Sequence, residues 1–148
     1  MSRRPALLAG CVYFSIVFAA GFALGVPRTL WIAPAIGELR AVLLEVPVML
    51  AIAWVACDRV LRRIDVGPGR ASRLLMGGAA LVLLLAAEAA LAVLVSGQTL
   101  AEHVMGYARP AALVGGAAQV ASACFPLVRA CRTVGPSTSP RGAQRQGR

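Results

Sequence analysis

Four long apolar runs separated by short polar stretches organise this chain, at residues 6–26, 39–57, 74–96 and 104–128. A helix rising 1.5 Å per residue needs about 20 apolar residues to cross about 30 Å of hydrocarbon, and each run is close to that length. The pattern predicts an all-α integral membrane four-helix bundle. A basic segment at 1–5 precedes it and a tail at 129–148 follows. From Val134 onward the tail is Gly, Pro, Ser, Thr, Gln and Arg with almost nothing apolar to bury, so it is expected to be disordered and basic. The connections between runs are short, and any activity is expected in or at the bilayer.

The arginines add an orientation. All 15 basic residues are arginine, and 12 of them fall on one side of the runs. Arg3 and Arg4 precede the first run. Arg59, Arg62, Arg63, Arg70 and Arg73 fill the second connection, and Arg129, Arg132, Arg141, Arg145 and Arg148 follow the fourth. Only Arg28 and Arg40 flank the first connection, and the third carries none. That asymmetry is the positive-inside pattern, which predicts a multi-pass protein of a bacterial inner membrane with both termini cytoplasmic.

Composition agrees with the runs: 59% of the residues are apolar and 14% charged, outside the usual range of a soluble domain. The chain has no Lys and no Asn, which reads as codon bias in a GC-rich genome. Its net charge of +9 flanks hydrophobic spans and lines no single helix face. The expected partner is therefore a bilayer with anionic headgroups at the cytoplasmic face, at about 1 kcal/mol per Arg, and not nucleic acid. A homo-oligomer or a larger membrane complex is the other partner class.

Cysteine and histidine narrow the chemistry. Cys11, Cys57, Cys124 and Cys131 all map near cytoplasmic span ends, with no Cys-x-x-Cys, and read as small apolar thiols. His103 is the single histidine, so bis-histidine haem ligation within one chain is impossible. No cofactor, no metal and no enzymatic activity are expected. Leu8-Ala9-Gly10-Cys11 has the form of a lipoprotein signal box, and Ser2-Arg3-Arg4 that of a twin-arginine start. Only six residues separate Arg4 from Cys11, and the apolar run continues past it, so both read as the start of a signal-anchor helix.

Three ionisable residues inside the runs carry most of the functional information. Glu45 is about 9 Å deep from the outer face, Glu88 about 12 Å and Arg109 about 8 Å, at 1.5 Å per residue. A charged side chain at a helix centre costs roughly 2.5–3.5 kcal/mol, so such residues face the bundle interior and find partners. A polar cluster of Glu45, Glu88 and Arg109 in the outer half follows, with Arg109 paired to one carboxylate. Arg28, Glu38 and Arg40 would form its outer rim. Glu38, Glu45, Ile52 and Arg59 recur every seven residues on one face, with Pro47 freeing a carbonyl beside Glu45.

Weaker signals complete the reading. Gly21-x-x-x-Gly25, Gly77-Gly78 and Gly115-Gly116 suggest close helix contacts. Trp31 and Tyr107 fall at the outer interface, and Gln119 is expected to hydrogen-bond a neighbouring helix.

Leu24 to Trp31, Ile36-Gly37-Glu38, Ala41 to Met49, Ala86-Ala87-Glu88 and Tyr107-Ala108-Arg109-Pro110 are similar to the corresponding segments of a group of small four-span inner-membrane proteins found in many proteobacteria. The resemblance covers most of residues 6–128 and implies the architecture but no mechanism. Members tend to carry an acid between the residues matching Arg109 and Pro110, which this chain lacks. Small multidrug resistance exporters also have four short spans and a membrane glutamate, but theirs lies in the first span, which here holds no acid. Four-span glutathione-using enzymes have a polar second-span signature that is absent here.

The residues thus suggest a structural or accessory bundle with a polar cluster in its outer half. The alternative is a small proton- or cation-coupled transporter using a membrane glutamate. Topology is directly testable: reporter fusions at Arg73 and Arg148 should be active only in a cytoplasmic sense and a fusion at Gly97 only in a periplasmic one. An outward C terminus would overturn the orientation.

Overall fold

The computed structural model describes residues 3–67 and 69–132, the last three as backbone only. The expected tail beyond 132, with Arg141, Arg145 and Arg148, lies outside the described residues, as does the side chain of Cys131. Helix α1 runs Arg3–Pro27 and continues through a π-helical turn, Arg28–Ile32, into the short α2, Ala33–Ile36. Then come α3 at Glu38–Arg63, α4 at Arg70–Leu94, the short α5 at Leu100–Gly106 and α6 at Pro110–Arg132. No strand occurs among the described residues. Four helical stretches are long and apolar enough to cross a membrane: Arg3–Ile36, Glu38–Arg63, Arg70–Leu94 and Pro110–Arg129.

These four pack as a ring. α1 lies against α3 and α4, and α6 against α3 and α4, leaving α1 and α6 on one diagonal. Large apolar side chains such as Leu44, Val82, Leu94 and Leu113 are exposed on the outside, the surface expected to meet lipid.

The ring is densely packed at its arginine-rich end. Ala6, Ala9, Tyr13, Ala53, Ala56, Cys57, Met76 and Ala80 are all buried there in one cluster. Small residues let the backbones approach. A Cβ on Gly10 would lie 2.8 Å from the Met76 carbonyl oxygen, and one on Gly77 would overlap the Ala123 carbonyl. The Gly21-x-x-x-Gly25 motif is not such a contact: Gly25 has open space beside it and Gly21 meets only the tip of Met49. Gly78, Gly115 and Gly116 have none either. Across the diagonal, the Tyr13 hydroxyl donates to the Ser122 carbonyl at 2.9 Å. The Ser122 carbonyl thereby gains an acceptor role outside its own helix, joining α1 to α6.

Two connections depart from the sequence expectation. Residues 27–38, expected as a loop, are almost wholly helical. Pro34 has no N–H for the carbonyl four residues back. The backbone widens just before it, and the Ala33 N–H donates to the Arg28 carbonyl five residues away. The turn to α3 comes only at Gly37, whose φ of +89° is a conformation that favours glycine.

The fourth apolar run is also broken. A Thr99/Glu102 capping box starts α5, and a turn at Tyr107–Arg109 precedes α6. The residue before a proline is disfavoured in helical geometry, so the long helix starts at Pro110 and not at 104.

The glycine contact yields a prediction. Gly77→Ala should force α4 and α6 apart and destabilise the bundle by about 1–3 kcal/mol, the usual range for overpacking. Gly78→Ala, with nothing near its Cβ position, should leave the melting temperature in detergent nearly unchanged.

Candidate functional site: a cavity between the helices

Beyond Val17 the four helices enclose a partly open cavity of about 560 Å³ that extends towards the end opposite the arginine-rich one. Its walls are mostly apolar, with Phe18, Phe22, Met49, Leu84 and Leu91 among them. Gly21, Gly25 and Gly115 also line it. Unlike Gly77, these glycines do not bring helices together but leave room between them.

Glu45 and Glu88 both face this cavity. Glu45, from α3, pairs with Arg28 of the π-helical turn, with Nε 3.1 Å from Oε2. The Glu45 side chain is 14% exposed and that of Arg28 34%, so the acid is the more enclosed partner. Glu88, from α4, has no cation within ion-pair distance among the described residues and is held by neutral donors. The Tyr107 hydroxyl donates to its Oε2 at 3.2 Å, and the Gln119 amide of α6 donates to its Oε1. Burial, reinforced by Glu88, pushes the Tyr107 phenol above its usual value, so it remains a donor at neutral pH. The Gln119 amide oxygen is buried without a hydrogen-bond partner.

The expected cluster is therefore rearranged. Glu45 and Glu88 do share one cavity, but Arg109 does not join them. It is exposed in the turn before Pro110 and forms no ion pair among the described residues. The physical reason is the displaced helix start: a residue expected more than a turn inside a span lies at its mouth, where water can solvate it. Arg28 takes the pairing role instead. Of the expected rim, only Arg28 lines the cavity, since Glu38 and Arg40 are exposed in the first turn of α3. Within the seven-residue stripe only Glu45 lines it, and α3 runs unbroken through Pro47.

A second polar site closes the arginine-rich end. Asp58 of α3 pairs with Arg129 of α6 and, at 2.9 Å, with Arg62. The Arg129 guanidinium lies 4.4 Å from the centre of the Trp54 ring, which meets Phe125 edge-on at 5.1 Å. Trp54 and Asp58 are four residues apart, as are Phe125 and Arg129, so each helix presents an aromatic and a charge on one face. That matched spacing is a signal the sequence reading passed over. Asp65 and Arg73 tie the following loop, accepting from the Gly67 N–H at 2.9 Å and donating to its carbonyl at 3.2 Å. Cys57 is buried beside this site, whereas Cys11 and Cys124 are exposed, and all three are free thiols.

Trp31 is exposed on α1's extension, and His103 stacks edge-on against Tyr107 at 5.3 Å. Among the described residues no group of three His, Cys, Asp or Glu side chains could hold a metal ion. The chain matches no protein-family model, no curated protein and no solved structure.

The end-closing pair can be measured. Asp58→Asn should cost about 1.5–3 kcal/mol, the range for losing a charged hydrogen bond, and Arg129→Gln a similar amount. The double variant should cost clearly less than the sum, because neither partner is then left alone. Equal and additive losses in detergent melting would contradict a direct pair.

Proposed function

We propose that this chain is a small multi-pass membrane protein that binds a solute in its inter-helix cavity and moves it in a proton-linked manner. The arginine asymmetry supports a bacterial inner membrane, with both termini cytoplasmic and the cavity in the outer half. The observation that carries the reading is Glu88: a carboxylate on the wall of a mostly apolar cavity with neutral donors and, among the described residues, no paired cation. A purely structural acid would be expected in a dry contact with its charge balanced. Glu45 also lines the cavity but has its charge balanced by Arg28, and we assign it the structural role. The two glutamates therefore divide the two functions weighed from the sequence.

Hydrocarbon makes an ionised, unpaired carboxylate costly, so Glu88 holds either a proton or a cationic ligand. Alternation between the two is the minimal cycle of a coupled carrier. The packed arginine-rich end, fastened by Tyr13–Ser122 and Asp58–Arg129, provides the barrier such a cycle needs on that side, and the partly open cavity lies towards the other.

Purified protein in vesicles loaded with a pH-sensitive dye tests this. With inorganic or organic cations supplied on the opposite side as exchange partners, a proton gradient should decay faster than in protein-free vesicles, and Glu88→Gln should abolish the difference while leaving the fold intact. Glu45→Gln should lower the melting temperature. Equal gradient decay with and without wild-type protein for every cation supplied would overturn the proposal.

A further inference from the structure

We infer that the cavity takes one monovalent lipophilic organic cation, bound against Glu88 in place of its proton. The inference rests on the cavity being a solute site, as proposed above, and adds the chemical class and the valence.

Charge fixes the sign. Of the ionised groups on the cavity wall, Arg28 and Glu45 neutralise each other at 3.1 Å. What remains is the single carboxylate of Glu88, so the complementary ligand carries one positive charge. An anion would have to displace Glu45 from Arg28 and approach Glu88 unshielded.

The walls fix the rest. An inorganic cation sheds its hydration shell only for several oxygens, whereas this cavity supplies mostly carbon around one free carboxylate. An organic cation with apolar substituents loses little hydration and gains contact with Leu84, Leu91 and Met49. Phe18 and Phe22, at 6.5 Å between ring centroids, offer aromatic faces to a positive charge. The volume of about 560 Å³ lies within the roughly 300–1,000 Å³ of small-molecule pockets. The buried, unpartnered amide oxygen of Gln119 supplies one further acceptor beside Glu88.

The exchange balances simply. A cation enters, the Glu88 carboxylic O–H bond breaks, and one proton leaves to water, with no change in the site's net charge. The groups facing Glu88 are Tyr107 and Gln119 in hydrogen-bond contact, with His103 and Arg28 farther off. None of them is a cation that already pairs with it.

Tetraphenylphosphonium titrated into the detergent-purified full chain by calorimetry, in two buffers of different ionisation enthalpy, reads both affinity and proton release. Binding should be one to one, with up to one proton released per cation and weaker apparent affinity as pH falls. Glu88→Gln should weaken it about tenfold or more through loss of a charged partner. His103→Gln should retain it, and the uncharged triphenylphosphine oxide should bind no better to wild type than to Glu88→Gln. Circular dichroism and melting confirm that each variant is folded. Undiminished binding by folded Glu88→Gln, loss in His103→Gln, or binding without proton release at every pH from 5 to 9 would overturn the inference. Proton flux without phosphonium binding would overturn this ligand class and leave the proposed function standing. Binding without flux would do the reverse.

Discussion

A carboxylate between apolar helices must be balanced by a cation, a proton or strong donors, and this constraint governs how the cavity half of the bundle is built. Glu45 is balanced by a guanidinium brought in by the extension of α1. Glu88 is balanced only by dipoles from Tyr107 and Gln119. The two acids thus share a cavity yet differ in what each can exchange.

The two ends of the molecule use opposite packing strategies from the same small-residue vocabulary. At the arginine-rich end, Gly10 and Gly77 meet backbone directly, and alanines fill the ring. At the other end, Gly25 and Gly115 face empty space and Gly21 meets only the tip of Met49. The contrast comes from what lies opposite each glycine, not from the glycine itself. Close approach supports stability through dispersion between backbones, whereas the cavity forfeits those contacts and keeps space for an occupant.

Much of the architecture was legible because span length and apolarity are properties of each segment alone. The four runs correspond to the four long helices, and Glu45 and Glu88 could be brought to one region by counting residues inward. What could not be read were features set by one helix against another. Arg28 was assigned to a loop, because nothing local shows that a π-helical turn would carry the helix past Pro27 and Pro34. Arg109 was placed inside a span because Val104 and Met105 extend the apolar run, although Pro110 and the Thr99/Glu102 box mark two separate helices. The Trp54, Asp58, Phe125 and Arg129 constellation was visible as spacing, but its meaning required knowing that α3 and α6 are neighbours.

The π-helical turn at Arg28–Ile32 sets a register as well as a reach. Each residue of an α-helix advances the azimuth by about 100°, so one residue more or fewer turns everything beyond it to another face. A π turn accommodates one surplus residue over its length without breaking the helix. Removing a single residue between Arg28 and Pro34 would restore ordinary winding with that phase kept, whereas adding one more than the turn absorbs would rotate α2 and the Gly37 corner against α1 by roughly that angle. Since α3 begins at that corner, the angular phase of Glu45 relative to Arg28 is encoded in the count of residues between two prolines, not in the identity of any one of them.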